Sequence, residues 1–159
     1  MKEEYFRIIK CLEKHKLSFV ALKPTALIPT EQILHLSSFH KNVFYEKGAI
    51  DFESIFTESK IEQIAKPFTE LAQLAIESGT KILIDAEQSS LQPGVDLLAL
   101  FLMKNNNINS ANIYNTYQLY LKDSWARINC HKQWMKDHGA EFAAKIVRGA
   151  YLSYEQKVQ

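Results

Sequence analysis

Residues 81–115, KILIDAEQSSLQPGVDLLALFLMKNNNINSANIYN, contain the repeat that decides the fold. The run Lys81-Ile82-Leu83-Ile84 is short, apolar and β-branched, and it closes on Asp85. A continuous apolar run of that length reads as a strand covered on both faces, the signature of a parallel sheet. From Pro93 to Lys104 the spacing changes: Val95, Leu98, Phe101 and Leu102 recur at helical intervals, with proline in the first turn and Asn105-Asn106-Asn107 as the turn that follows. Ala111-Asn112-Ile113-Tyr114 then resumes strand character and closes on Asn115. Strand, helix and strand in that order make one βα crossover unit.

The same rhythm extends in both directions. Leu17 to Leu22 is an apolar run ending at Lys23, and Ala144-Lys145-Ile146-Val147 is another ending at Arg148. Asp85, Asn115 and Arg148 follow one another at intervals of 30 and 33 residues, each close to one βα repeat. Lys23 to Asp85 is 62 residues, so that interval carries an insertion, placed at His40 to Phe56. Lys60 to Ser78 forms an amphipathic helix through Ile61, Ile64, Ala65, Phe68, Leu71, Ala72 and Ala75, capped by Gly79. Leu119 to His138 forms another, stopped by Gly139. Met1 to Lys14 is a helix through Phe6, Ile9 and Leu12, and Pro29-Thr30-Glu31 starts a short one. The pattern predicts an α/β fold of about four βα units with parallel strands and an N-terminal helix. Two architectures satisfy it: an open doubly wound sheet, or about half of a (β/α)8 barrel, since a whole barrel needs ~250 residues and this chain has 159.

Composition removes several function classes. With 19 basic against 18 acidic residues the net charge is +1, which provides no basic face for nucleic acid. No apolar run reaches the ~20 residues of a membrane-spanning helix. Met1-Lys2-Glu3-Glu4 has the look of neither a secretion signal nor a transit peptide. Cys11 and Cys130 are far apart and lack CxxC spacing, so no disulfide framework or zinc site is expected. GxGxxG, GxxxxGK[ST] and HExxH are missing. His15, His35, His40, His131 and His138 read as surface or helix-end residues rather than metal ligands, and Trp125 and Trp134 as packing residues.

The chemistry is therefore sought at the carboxyl ends of the strands, where loops of a parallel sheet surround a common crevice. Lys23, Asp85, Glu87, Asn115, Gln118, Arg148 and Tyr151 lie at or just beyond those ends. Any one of them alone reads as a turn or cap residue; several converging from four strands read as a site for a charged small molecule or a phosphate-bearing cofactor. Lys23 and Asp85 are the expected charge pair, worth on the order of 4 kcal/mol at 4 Å and an effective dielectric of 20, before desolvation.

Five stretches carry a family likeness: Ala21 to Leu27; Ile82-Leu83-Ile84-Asp85-Ala86-Glu87; Gln92-Pro93-Gly94-Val95-Asp96; Ile113 to Asp123; and Ala144 to Tyr151. In this order they resemble proline dehydrogenase, in particular its mitochondrial eukaryotic branch. The resemblance favours the barrel. It implies a single domain over residues 1–159, the front half of a (β/α)8 barrel cut after the fourth strand, with the family's arginine clamp for the proline carboxylate on a helix beyond it. It further implies FAD as cofactor, L-proline as substrate, Δ1-pyrroline-5-carboxylate as product, a quinone as electron acceptor and a mitochondrial location. By position, Lys23 and Asp85 resemble the charges lining the proline pocket and Tyr151 the tyrosine beside the substrate. Asn115, Lys145 and Arg148 match positions near the flavin. No metal is implied. As half a barrel, the chain is expected to bind FAD poorly unless it self-associates or meets a complementing C-terminal half. The alternative is a non-catalytic half-barrel that acts only as an interaction module.

Overall fold

A computed structural model describes residues 2–14, 19–40, 50–149 and 151. Helix α1 (Lys2–Lys14) precedes strand β1 (Phe19–Leu22); a 3-10 turn (Pro24–Ala26) and helices α2 (Thr30–His40), α3 (Phe52–Glu58) and α4 (Ile61–Glu77) lead to β2 (Lys81–Ile84). Then follow α5 (Gln92–Asn106), β3 (Ile113–Gln118), α6 (Ser124–Asp137) and β4 (Ala144–Val147). The four strands are parallel and lie in the order β1-β2-β3-β4. That order settles the architecture. A doubly wound sheet reverses direction at a switch point, whereas here each strand joins the edge left by its predecessor, as in a (β/α)8 barrel.

The two faces of the sheet differ. Val20, Leu22, Ile82, Ile84, Ile113 and Tyr117 point at the helices and are at most 6% exposed. On the other face Phe19 is 50% exposed and meets Tyr114 edge-on with ring centroids 6.0 Å apart. The register pairs Leu83 with both Ala21 and Tyr114, and Lys145 with Thr116, which places these residues on the same inner face.

Helix α5 is buried on nearly every side, through Gly94, Val95, Leu97, Leu98, Ala99, Leu100, Leu102 and Met103. Its first turn lies against α2 at Gly94, where an added Cβ would come within 2.3 Å of the Ile33 carbonyl oxygen and 2.9 Å of the Ser37 nitrogen. Ser37 Oγ accepts from the Gly94 N–H at 2.9 Å, closing the helix contact. Because backbone must move, Gly94→Val is expected to cost about 1–3 kcal/mol; a thermal melt should show a drop of about 2–4 °C per kcal/mol, and an unchanged Tm would contradict this packing.

The helix stops follow the glycines. Gly79 and Gly139 have φ of 68° and 67°, and the Gly79 N–H donates to Ile76 while Thr80 N–H donates to Ala75 at 2.7 Å, the paired bonds of a left-handed C-terminal cap. Two expected boundaries move. Strand β3 starts at Ile113 and runs on to Gln118, past the polar residue expected to end it, and α6 accordingly starts at Ser124 rather than Leu119. Buried polar side chains are tolerated in β3 because they are bonded: Asn115 to Asp96 and Gln118 to the Glu87 carbonyl. Within the expected insertion, residues 41–49 and the His40 side chain lie outside the described set; α3 follows and anchors Phe52 and Phe56 against Trp134 at centroid distances of 5.2 and 5.7 Å. Two aromatic expectations change. His131 is wholly buried and shares a 2.9 Å hydrogen bond with the Tyr117 hydroxyl, while Trp125 is 69% exposed and packs little.

Candidate functional site

The strand ends build the site as follows. β1 delivers Lys23 directly after Leu22, β2 delivers Asp85 after Ile84, and the Asp85 N–H is fixed to the Leu22 carbonyl at 2.9 Å. β4 contributes Lys145 from within the strand, opposite Thr116 of β3. Lys23, Asp85, Ala86, Thr116, Lys145, Val147 and Tyr151 together line a cavity of about 380 Å3, within the size range of small-molecule sites. Four of the six residues to which the family resemblance gives a role (Lys23, Asp85, Lys145 and Tyr151) thus surround one space.

The expected Lys23–Asp85 pair gives way to another. Lys145 Nζ lies 2.5 Å from Asp85 Oδ1, with the two side chains 32% and 34% exposed. Asp85 follows the residue paired with Asn115, so it stands level with Thr116, across which the lysine reaches. Thr116 is small, and its hydroxyl is turned onto the Ile84 carbonyl at 2.6 Å, which leaves that path open. Lys23 is exposed, and its ammonium makes no ion pair with a carboxylate among the described residues.

Asn115 and Arg148 lie elsewhere. Asn115 sits mid-strand on the helix-facing side, fully buried. Its Nδ2 donates to Asp96 Oδ1 at 3.0 Å and its Oδ1 accepts from the Thr116 N–H at 2.8 Å. Its neighbour Thr116 is the β3 residue that reaches the cavity. Arg148 is exposed just past β4 and is not part of the lining.

Beneath the cavity wall runs a polar cluster in which sequence reading singled out only Glu87, Gln118 and Tyr151. Glu87 is 3% exposed; Thr25 Oγ1 donates to one carboxylate oxygen at 2.7 Å and the Tyr151 hydroxyl to the other at 2.9 Å. The Glu87 N–H donates to Gln92 Oε1 at 2.8 Å, and Gln92 Nε2 donates to Asp96 Oδ1 at 2.8 Å. Asp96, fully buried, takes Arg127 Nε at 2.9 Å and Nη2 at 2.8 Å on its other oxygen. Gln118 Nε2 donates to both the Glu87 carbonyl and the Tyr120 hydroxyl at 2.9 Å. Gln118 Oε1 is buried without a partner among the described residues. The Tyr151 phenol is pushed up from 10.0 to about 12, by burial first and then by its hydrogen bond to Glu87 and the charges of Glu87 and Asp85. It is therefore a proton donor throughout the neutral range. Since the folded pKa is raised, its stabilising share is complete below pH 10 and fades as pH rises through about 12.

A sequence model described as proline dehydrogenase matches residues 1–159, the whole chain. The chain belongs to the proline dehydrogenase family. Among curated members it is 37% identical to proline dehydrogenase 1, mitochondrial, of Homo sapiens over 106 residues, 65% of this chain and 18% of that protein. To the Caenorhabditis elegans protein of the same name it is 37% identical over 99 residues, 62% of this chain and 16% of that one. To the carbapenem antibiotics biosynthesis protein CarD of Pectobacterium carotovorum it is 34% identical over 158 residues, 98% of this chain and 39% of that protein. The chain thus spans well under half the length of these relatives. Proline utilization A (PutA) from Bdellovibrio bacteriovorus matches its fold with a TM-score of 0.73 over 99% of this chain and 16% of its own, at 19% identity. The four βα units of this chain therefore correspond to part of a barrel, with the cavity at the carboxyl end of the sheet.

Proposed function

We propose that this chain provides part of the site of an FAD-dependent L-proline oxidase yielding Δ1-pyrroline-5-carboxylate, with electrons passed to a quinone. The observation that carries the reading is the meeting of Lys23, the Asp85–Lys145 pair and Tyr151 around one cavity of about 380 Å3 at the strand ends. That donor set fits the cofactor and the substrate. Cations suit a flavin that gains negative charge on reduction, and opposed charges suit a zwitterionic imino acid. The buried Gln118 Oε1, without a partner among the described residues, adds a further polar acceptor close to these strand ends. When bound, FAD supplies the hydride acceptor. The chain's own residues bind and orient. Lys145 and the exposed Arg148 would hold the cofactor, Lys23 and Asp85 would form the polar wall facing proline, and Tyr151 would flank the substrate with its hydroxyl protonated. Asn115, bonded to Asp96 and to the Thr116 N–H, would act by holding β3 in place rather than by touching the flavin. The mitochondrial names of two of the relatives support a mitochondrial setting.

Asp85→Ala in the flavin-loaded protein should lower kcat/KM for proline by about tenfold, the effect of losing roughly 1.4 kcal/mol of binding in the transition state. An unchanged value would remove Asp85 from the wall. A second reading, an interaction module acting through its inner sheet face, is favoured by Phe19, half exposed there. Purified protein that is colourless, inert to proline and self-associated would support that reading; flavin absorbance at the visible bands would support the first.

A further inference from the structure

We infer that Glu87 is the positioning residue of the cavity mouth, a single carboxylate that ties the loop after β1 to the segment after β4 and thereby sets the Tyr151 ring. The inference rests on the proline-site reading for its functional consequence but not for its geometry. Four hydrogen bonds fix Glu87 at every polar point it has. Its N–H is held by Gln92 and its carbonyl by Gln118, while its two carboxylate oxygens each take one hydroxyl, from Thr25 and from Tyr151. The residue is 3% exposed, so water cannot replace these partners, and a lost bond leaves a buried oxygen unsatisfied. Toward a carboxylate both hydroxyls must donate, whereas a carboxamide at the same place keeps one acceptor and makes the other hydroxyl turn round to accept from its NH2, so the charge that holds the Tyr151 proton is lost. Tyr151 is held twice from the same cluster, since its N–H donates to the Tyr120 hydroxyl at 3.0 Å and Tyr120 is bonded to Gln118. The chain of bonds continues through Gln92 to the buried Asp96–Arg127 pair, so the mouth is tied to α5 and α6.

The test uses the full chain with ¹³C-labelled tyrosine and glutamate. In Glu87→Gln the Tyr151 ¹³Cζ titration midpoint should fall, while the part of its rise that burial causes stays, because the carboxylate that accepts the hydroxyl proton and repels the phenolate is gone. Its KM for proline should rise with kcat less affected, and the flavin absorbance should be retained. In Tyr151→Phe, which stands in if Glu87→Gln does not fold, the Glu87 carboxyl ¹³C resonance should move at neutral pH. A Tyr151 midpoint that does not change in Glu87→Gln, or a Glu87 resonance that does not move in Tyr151→Phe, overturns the inference. Wild-type chain that neither takes up flavin nor oxidises proline even when joined to a complementing C-terminal half would refute the proline-site reading instead, while both resonances still decide the role of Glu87.

Discussion

Arg127→Met is expected to destabilise the folded chain by about 3–5 kcal/mol, the usual result of removing one partner from a buried ion pair. Asp96 is 0% and Arg127 3% exposed, so neither charge has water to fall back on. The carboxylate also holds the side-chain amides of Gln92 and Asn115, at 2.8 and 3.0 Å. Without the guanidinium the buried carboxylate loses its counter-charge, and it would respond by taking up a proton or by pulling in solvent. The intact pair is not itself proof of high stability, because desolvating both charges consumes most of their attraction. Asp96→Asn combined with Arg127→Met should therefore recover part of the loss, since the amide oxygen still accepts from Gln92 and Asn115 and no charge remains, while the new amide N–H group left facing the methionine keeps the recovery incomplete. Urea denaturation read by circular dichroism measures both. A single substitution costing less than about 1 kcal/mol would mean that the pair is solvated, against its burial.

The parts of this arrangement that sequence reading reached are those with a periodic or punctuating signal. The helix of α4 and its stop at Gly79 follow from apolar spacing and from the left-handed conformation that glycine tolerates. Strand β2 is found at its expected residues because Asp85 ends an unbroken apolar run. Phase was harder to read than extent. In a strand covered on both faces there is no polar alternation to say which residues point inward, and a shift of one position exchanges the faces. Hence the sequence points to Asn115 as a crevice residue, whereas Thr116 beside it lines the cavity. The Asp85–Lys145 pair was also out of reach, for it depends on the register between β3 and β4 and on a threonine small enough to let a lysine across. Glu87 lay in plain view two residues after Asp85, but its burial arises from Thr25 and Tyr151, 62 and 64 residues away along the chain.

Lys145→Met should separate stability from function in the opposite sense to Arg127→Met. The Asp85–Lys145 pair is about one-third exposed, so breaking it should cost less than about 1 kcal/mol in folding. In the flavin-loaded protein, by contrast, it removes the cation that stands nearest Asp85 in the cavity, and kcat/KM for proline should fall by about 10²–10³, the usual effect of deleting one preorganised electrostatic group from an active site. Two causes could give that fall: loss of a cation that the cofactor needs, or an Asp85 carboxylate left unneutralised against the substrate. Lys145→Met with Asp85→Asn distinguishes them, because the double variant has no surplus charge. If the cation itself is required, the double variant stays as impaired as the single one and its FAD dissociation constant, followed by fluorescence quenching, remains raised. Recovery to the kcat/KM of Asp85→Asn alone would assign Lys145 the lesser part of neutralising Asp85 and would leave the flavin without its cation on β4.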